Sequence, residues 1–406
     1  MKYKVLINKE NKVKESFLKR INLLEVKNYE NKNILIEEET KRAFLALKEF
    51  LEEKGIYIEL EFAYRGGNNQ DDVYNYYEKK YGCEYTQNII SSLETSEHST
   101  GLAIDIVIKI NDEYIVDREE LLKNEELFLE IHKYLSKFGF ILRYPKNKCE
   151  ITKHEYAPWH FRYIGNIPAE IIYINDWTLE EYLLEFSGIL VINKEKDMTS
   201  RDVVNIVGKT LGIKKIGHTG TLDPLAEGGL VLTIGKATKI GELLTCSYKE
   251  YVADAVLGIL TDSLDITGNV LDKKEVPKEI NIETVLQQYK KTYLQEVPSY
   301  SAVKVGGKKL YEYARNNEEV ILPKKEVTIK EIKLLNKDAN QFSFSCLVSK
   351  GCYIRSLIRD IGSSLNTYAT MTKLTRVKQG KFTIEQSFTL TDFINGNFEI
   401  LSIEDV

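Results

Sequence analysis

The chain has 406 residues, of which 43% are hydrophobic and 29% charged, with a formal net charge of −5. That is an ordinary soluble composition, long enough for two or three separate cores. No apolar run approaches the roughly 18 residues of a membrane span, and the opening "MKYKVLINKENKVKE" lacks a secretory apolar segment, so the expected address is cytoplasmic, with no membrane partner.

The charge is unevenly spread. Lys and Arg number 26 against 34 acidic residues before residue 187, a balance of −8, and 30 against 27 afterwards, a balance of +3. Within 346–381, Lys350, Arg355, Arg359, Lys373, Arg376, Lys378 and Lys381 stand against Asp360 alone. Such a cluster is either a polyanion footprint or a solvated face. The five cysteines show no CxxC pair and are expected to be reduced thiols.

Taken in chain order, "EEETKRAFLALKEFLEEKG" (37–55) carries Phe44, Leu47, Phe50 and Leu51 at helical spacing, with Gly55 as its stop. "IYIELEFAY" (56–64) alternates like a half-buried strand, and "GLAIDIVI" is a second strand. Residues 124–138 predict a helix closed by Gly139, and "TLEEYLLEF" (178–186) another. A new strand, "GILVINK" (188–194), opens a second domain close behind, which sets domains of 1–186 and 187–406. Ser200 is expected to cap a helix ending before Gly212. Strands follow at 229–235, 249–260 and 341–349. A helix at 352–365 then buries Ile354, Leu357, Ile358 and Ile361 and puts Arg355 and Arg359 on another face.

In "SEHSTGLAID", His98 precedes Asp105 by seven residues, with Gly101 between them to turn the chain. With His160 of "HEYAPWHFRYIG" this makes two imidazoles and a carboxylate, a set that leaves zinc an open position for water. A His–Asp pair by itself is more often structural. The pieces "YRGGNNQ", "SEHSTGLAID", "GFILRYPKNKCEITKHEYAPWHFRYIG" and "TLEEYL", in that order, resemble the D-alanyl-D-alanine carboxypeptidase family of the VanY type over about residues 40–183. The resemblance implies that His98, Asp105 and His160 hold Zn2+ and that Arg65 lies near a cell-wall-type peptide. Where the family has Glu-Pro-Trp-His, this chain has Ala157-Pro158-Trp159-His160, so the carboxylate that moves the proton of zinc-bound water is missing. Glu155 is two residues away, displaced by about 6.5 Å along an extended chain. Gly66 replaces the usual serine after Arg65, and Glu94-Thr95 replaces Pro-Gly.

"KKIGHTGTLDPLAEGGLVLTIGKATK" (214–239) surrounds His218 with glycine turns and sets Asp223 before Pro224, which keeps Asp223 out of helical geometry. Taken alone, this aspartate is a turn-former or a functional loop carboxylate. The segment, together with "INKEKDMTSRDVV", "KEYVADAVLGILTDSLDITG", "VPSYSAVKVGGKKLYEYAR", "GCYIRSLIRDIG" and "LTRVKQGKF", resembles the tRNA pseudouridine-55 synthase family (TruB type) over 187–390. The resemblance implies a catalytic set of Asp223, Tyr251 and Arg355. Asp223 would attack the ribose or act through a glycal-like intermediate, Arg355 would pair with it, and Tyr251 would stack on the uracil. It further implies RNA contacts from Lys194, His218, Tyr353, Lys373, Arg376 and Lys378. Lys194-Glu195-Lys196-Asp197 departs from the family's Lys-Pro-x-Gly. With 18 residues after Phe388, the PUA-type RNA-binding module seen in many members of that family is expected to be absent or reduced to a stub.

The expected architecture is therefore α+β in two domains: a zinc D,D-peptidase-like mixed α/β domain, then a mixed-sheet pseudouridine synthase domain. The expected activity is isomerisation of a uridine in the TΨC loop of tRNA, without an organic cofactor. For the first domain, loss of hydrolysis, a working D,D-carboxypeptidase and a zinc-stabilised peptide-binding scaffold are the alternatives.

Overall fold

Strand Gly188–Lys194 is buried at six of its seven positions, as the unbroken apolar run "GILVI" requires of a strand covered on both faces. It opens the second of two compact units. The computed structural model describes residues 5–66, 75, 78, 79, 82 and 93–403; Cys83 and residues 67–70 of "YRGGNNQ" lie outside them. Unit one comprises Met1–Phe186 with Gly208–Lys214, and unit two Ser187–Val207 with Lys215–Val406.

In the first unit an antiparallel sheet runs Tyr57–Phe62, Ala103–Ile110, His160–Tyr163, Phe140–Leu142, with Glu113–Ile115 paired to Ala103–Ile110. Helix Glu38–Glu52 lays Phe44, Leu47 and Leu51 onto a core of Ile58, Leu60, Ile104, Ile106, Phe128 and Phe161. The Glu37 side chain caps it by accepting from the amides of Glu39 and Thr40. Gly55, at φ 79°, follows its end. The predicted helix over 124–138 is instead two pieces. Glu125–His132 is α-helical, and Leu135–Phe138 tightens to a 3-10 turn that keeps Leu135 and Ser136 buried before the chain reverses at Gly139, φ 78°. Hairpin Leu23–Lys27/Asn33–Glu37 was not anticipated. Its turn is held by the Asn28 side-chain oxygen, which accepts from the amides of Glu30 and Lys32.

Beneath the sheet lies a dry ionic network. Oε1 of Glu97 accepts from Arg143 Nε at 2.8 Å and Arg162 Nη1 at 2.6 Å, all three side chains being fully buried. Arg143 also grips both oxygens of Glu180, at 2.7 and 2.9 Å.

The second unit is built on a nine-stranded sheet. Its main path is Thr292–Glu296, Lys324–Asp338, Gln341–Val348, Lys249–Leu257, Ala369–Gln379, Glu227–Ile234, Gly188–Lys194. Glu227–Ile234 and Ala369–Gln379 pair in parallel, the other ladders being antiparallel. At that crossing Gly228, φ 104°, lies against the Arg376 backbone so closely that a Cβ would stand 2.3 Å from its carbonyl oxygen. Helix Ile354–Ser364 buries Ile354, Leu357, Ile358 and Ile361. Helix Ser200–Leu211 is capped by Thr199 rather than Ser200: Thr199 Oγ1 accepts from the Asp202 amide, and Asp202 Oδ2 accepts from the Thr199 amide. Ser200 is freed for another task, described below. Among the described residues no helix is long and apolar enough to cross a membrane.

The Glu97 network makes a prediction about the first unit, which holds both tryptophans, Trp159 and Trp177. Replacing Glu97 by Ala takes the shared carboxylate from two buried guanidinium groups, leaving Arg143 to Glu180 and Arg162 to backbone carbonyls, and should destabilise that unit by about 3–5 kcal/mol. Urea unfolding followed by tryptophan fluorescence checks it. The two arginines outweigh burial and hold the Glu97 carboxyl well below the usual range. Its contribution should therefore be present above about pH 4.3 and decline as pH falls below that value.

Candidate active sites

Each unit places one constellation at the end of its sheet. In the first, the ladder sets Asp105 directly opposite His160, so their side chains leave the same face as neighbours. His98 arrives from the short turn Glu97–Thr100, which Gly101 ends at φ 67°. A Cβ on Gly101 would meet Leu23 at 2.9 Å and the Glu37 amide at 3.1 Å, which leaves glycine as the fitting residue. One ligand atom from each of His98, Asp105 and His160 falls within 4.8 Å of the others, and all three residues are buried.

The donor set suits zinc. His98 Nδ1 lies 2.7 Å from the Ala63 carbonyl, which fixes the proton there and leaves Nε2 as the ligand atom. Burial pushes His98 down to about 4, so it is neutral at physiological pH. Burial raises and the two histidines lower the Asp105 carboxyl, which ends well below its usual value. His160 is held above the ordinary histidine value because the carboxylates of Asp105 and Glu97 outweigh its burial. Arg65 Nη2 donates to Asp105 Oδ2 at 2.9 Å. Ala157 is buried, its amide donating to the Tyr144 carbonyl and its own carbonyl accepting from the His160 amide, both at 3.2 Å. Glu155 is exposed.

In the second unit Asp223 sits on the loop between strands Ile216–His218 and Glu227–Ile234. Its Oδ2 is 2.8 Å from Arg355 Nε; the Arg355 side chain is 4% exposed and that of Asp223 34%. The contact is an ion pair without hydrogen-bond alignment. The remaining Arg355 nitrogens donate to the carbonyls of Ser263 at 2.9 Å and Tyr300 at 3.0 Å. An anchored cation thus meets a carboxylate that remains open to a ligand.

A family model for TruB family pseudouridylate synthase (N terminal domain) matches residues 208–354, and one for D-alanyl-D-alanine carboxypeptidase matches 33–166. The chain is 48% identical over 200 residues to tRNA pseudouridine synthase B of Fusobacterium nucleatum subsp. nucleatum, covering 49% of this chain and 69% of that relative. The chain belongs to the TruB family. Among solved structures, a Cbf5–Nop10–Gar1 complex is similar at 29% identity and TM-score 0.41, over 53% of this chain and 55% of that one, so the match spans about half of it. A VanY D,D-pentapeptidase mutant in complex with Zn(II) is similar at 25% identity and TM-score 0.38, over 45% of this chain and 99% of that one.

Two of the expected RNA contacts in the TruB unit are corrected by burial. Arg376 is 1% exposed; it donates to the carbonyls of Gly220 and Thr221, each at 3.0 Å, and to the Tyr251 hydroxyl at 3.2 Å. Lys194 is fully buried, its ammonium donating to the carbonyls of Glu195 at 2.8 Å, Met198 at 2.7 Å and Pro224 at 3.4 Å. Burial pushes it down to about 8. Both cations are engaged by backbone carbonyls, Arg376 and Lys194 each reaching the Asp223 loop. Arg359 is likewise engaged, with Glu296 and Asp360.

The other positions are open to varying degrees. Lys373 and Lys378 are exposed, Lys373 lying 3.6 Å from Glu227. His218 is half-buried on the strand leading into the loop, with Nδ1 unpartnered and its pKa lowered by burial. Tyr251 is 6% exposed, its ring 5.4 Å from the Arg376 guanidinium carbon, and burial raises its phenol. Tyr353 is partly buried, with its backbone amide bound to Gln295.

Sequence reasoning missed two groups behind the loop. Ser200 Oγ accepts from the Leu222 amide at 2.8 Å and donates to its carbonyl at 3.1 Å, and Gln379 Nε2 donates to Thr219 Oγ1 at 2.6 Å. No local pattern marks a side chain that reaches across 22 or 160 positions.

These placements separate two kinds of cation. Lys378→Ala should reduce the salt slope of tRNA binding by about 0.7–0.9 and leave turnover of bound tRNA intact. Arg376→Gln should leave the slope unchanged and lower both turnover and the thermal midpoint. Filter binding across a salt series, paired with single-turnover assays, checks both.

Proposed function

We propose that the TruB unit isomerises a uridine of the tRNA TΨC loop to pseudouridine, with Asp223 as the reacting carboxylate. The observation that carries this is the ion pair of solvent-reachable Asp223 with buried Arg355. The ribose–N1 bond breaks, the uracil turns, and C5 bonds to the ribose; the C5 proton is lost and N1 gains one, so the reaction balances without an organic cofactor. Two routes are open to a carboxylate so placed, attack on the ribose or proton transfer through a glycal-like intermediate, and Arg355 fixes its orientation for either. The target base must leave its stack to reach the loop. Tyr251, anchored through its hydroxyl to Arg376, supplies an aromatic surface for it, and Lys373 and Lys378 meet the phosphates. Asp223→Asn should abolish pseudouridine formation, read as tritium released from C5-labelled tRNA, while tRNA binding stays within several-fold. Substantial turnover by that variant would refute the assignment.

For residues 1–186 the favoured reading is a zinc-holding domain that no longer hydrolyses, with 187–406 as the separate catalytic domain. The favouring observation is Ala157 beside three converging ligands. Bound zinc would polarise a carbonyl or acidify water there. His98, Asp105 and His160 would hold it, and Arg65 would face the peptide through the side of Asp105 it already touches. Proton delivery to a leaving amine is what the site lacks. The chain should bind about one zinc ion, with zinc raising the midpoint of the tryptophan-reported transition, and should release no D-alanine from a D-alanyl-D-alanine peptide. Ala157→Glu should produce zinc-dependent release if base loss is the sole defect. Release by the unaltered chain would make it bifunctional.

A further inference from the structure

In the first unit two buried side-chain atoms face one another across a gap that neither fills. His160 Nε2 and Glu97 Oε2 stand 3.7 Å apart, and neither has a hydrogen-bond partner. Buried polar atoms are almost always bonded, so a facing pair of orphans calls for a physical account. The gap is about 0.8 Å longer than an ordinary N–H···O bond, and too short for a water to bridge it.

The other edge of the same ring supplies the account. His160 Nδ1 lies 2.8 Å from Asp105 Oδ1. An ionised carboxylate only accepts, so Nδ1 carries the proton of that bond. A metal at Nδ1 takes the place of that proton, and the neutral ring then carries its only proton on Nε2. Tetrahedral zinc, about 2.0–2.2 Å from each donor, keeps two ligand atoms about 3.3–3.4 Å apart. His160 must therefore draw back from Asp105 by about half an ångström to admit the ion. The two nitrogens sit on opposite edges of the ring, so this withdrawal narrows the gap to Glu97 to hydrogen-bonding length.

Glu97 is fixed to receive it. Its Oε1 is shared between Arg143 Nε at 2.8 Å and Arg162 Nη1 at 2.6 Å, which leaves Oε2 for His160. It also precedes His98 in the short turn Glu97–Thr100, so one turn carries a ligand and the support of a second ligand. We infer that Glu97 is a positioning residue for the metal: its Oε2 accepts the Nε2–H of His160 and keeps Nδ1 bare and aimed at the ion. This rests on the reading of His98, Asp105 and His160 as a zinc-holding set. A carboxylate behind a ligating imidazole fixes its tautomer and raises its affinity for metal, typically by 10–100-fold.

The test uses the full chain and zinc alone, with the dissociation constant read by competition against a chromophoric chelator. Glu97→Gln isolates the role. Its amide oxygen stays on the two guanidinium donors, so its NH2 turns to His160, donor against donor, and favours the tautomer with the proton on Nδ1. Zinc should bind about 10–100-fold more weakly to that variant. Glu180→Gln disturbs the same Arg143 without touching His160 and should stay within about threefold of the unaltered chain. Zinc held within threefold by a folded Glu97→Gln overturns the inference, and so does a Glu180→Gln that weakens binding as much, because loss of the arginine network would then be the whole effect. Nitrogen-15 histidine spectra of the zinc-loaded, unaltered chain give a second readout that stability does not move. They should show two coordinated rings, one bound through Nε2 and protonated on Nδ1, as His98 is disposed, and one bound through Nδ1 and protonated on Nε2. Two rings bound through the same nitrogen overturn the inference, and these spectra decide it if Glu97→Gln fails to fold by circular dichroism. An unaltered chain that takes up no zinc sinks the reading of the site and the inference with it, whereas equal affinity in Glu97→Gln sinks the inference alone.

Discussion

The loop that carries Asp223 cannot satisfy its own backbone, and the rest of the second unit is arranged around that deficit. Residues 219–224 lie outside any strand or helix, so their polar groups need partners from elsewhere. Buried polar side chains that need partners of their own supply them. Arg376 takes the Gly220 and Thr221 carbonyls, Ser200 both backbone groups of Leu222, Lys194 the Pro224 carbonyl and Gln379 the Thr219 hydroxyl. Either set alone is costly: a buried guanidinium without acceptors, or the inward-facing carbonyls of the loop left unpaired, costs several kcal/mol. Together they cancel, and the result is a carboxylate fixed in place without a regular element beneath it.

Arg355 closes the arrangement from the opposite side. It belongs to the first turn of a helix whose apolar face is pinned to the sheet, and its two outer nitrogens are spent on carbonyls. Its remaining nitrogen therefore has little freedom, which is what electrostatic preorganisation requires: the field at Asp223 exists before substrate arrives. The exposed lysines, Lys373 and Lys378, stand on the same strand as buried Arg376, so one scaffold element carries cations of both kinds, differing in which way their side chains face.

How much of this was legible in the sequence follows from what each signal encodes. Apolar runs encode burial, so strand Gly188–Lys194 was read to the residue, and the amphipathic helix Ile354–Ser364 to within two residues. Strand Lys324–Asp338 was missed because Val327, Ile329 and Ile332 are its only buried residues amid exposed charge. Charge encodes nothing about depth. Arg376 and Lys194 counted as phosphate contacts alongside Lys373 and Lys378, although Arg376 shares its inward phase with Leu374 two residues earlier, and Lys194 ends a strand buried almost throughout. Asp223 with Arg355, and His98 with Asp105 and His160, were legible through their family motifs. Ser200, Gln379 and Glu97 lie inside the same family segments, but nothing in those segments marks a side chain that acts by holding others.

The same physics explains why the metal-type site of the first unit has lost one group and kept three. Asp105 is buried against Arg65, His98 and His160, and each imidazole is tied in turn to a carbonyl or a carboxylate. Removing any member leaves a buried charge or a buried polar atom without its partner, at a cost of about 1–3 kcal/mol or more. These residues are locked in by folding, whether or not hydrolysis takes place. Position 157 carries no such penalty: an alanine packs in the same core as Tyr144 and Trp159 and brings no polar side-chain atom into it. A catalytic carboxylate is the member of the set whose loss the fold does not punish. Retained ligands in this domain are therefore explained by its architecture alone, and they do not by themselves bear on whether it cuts.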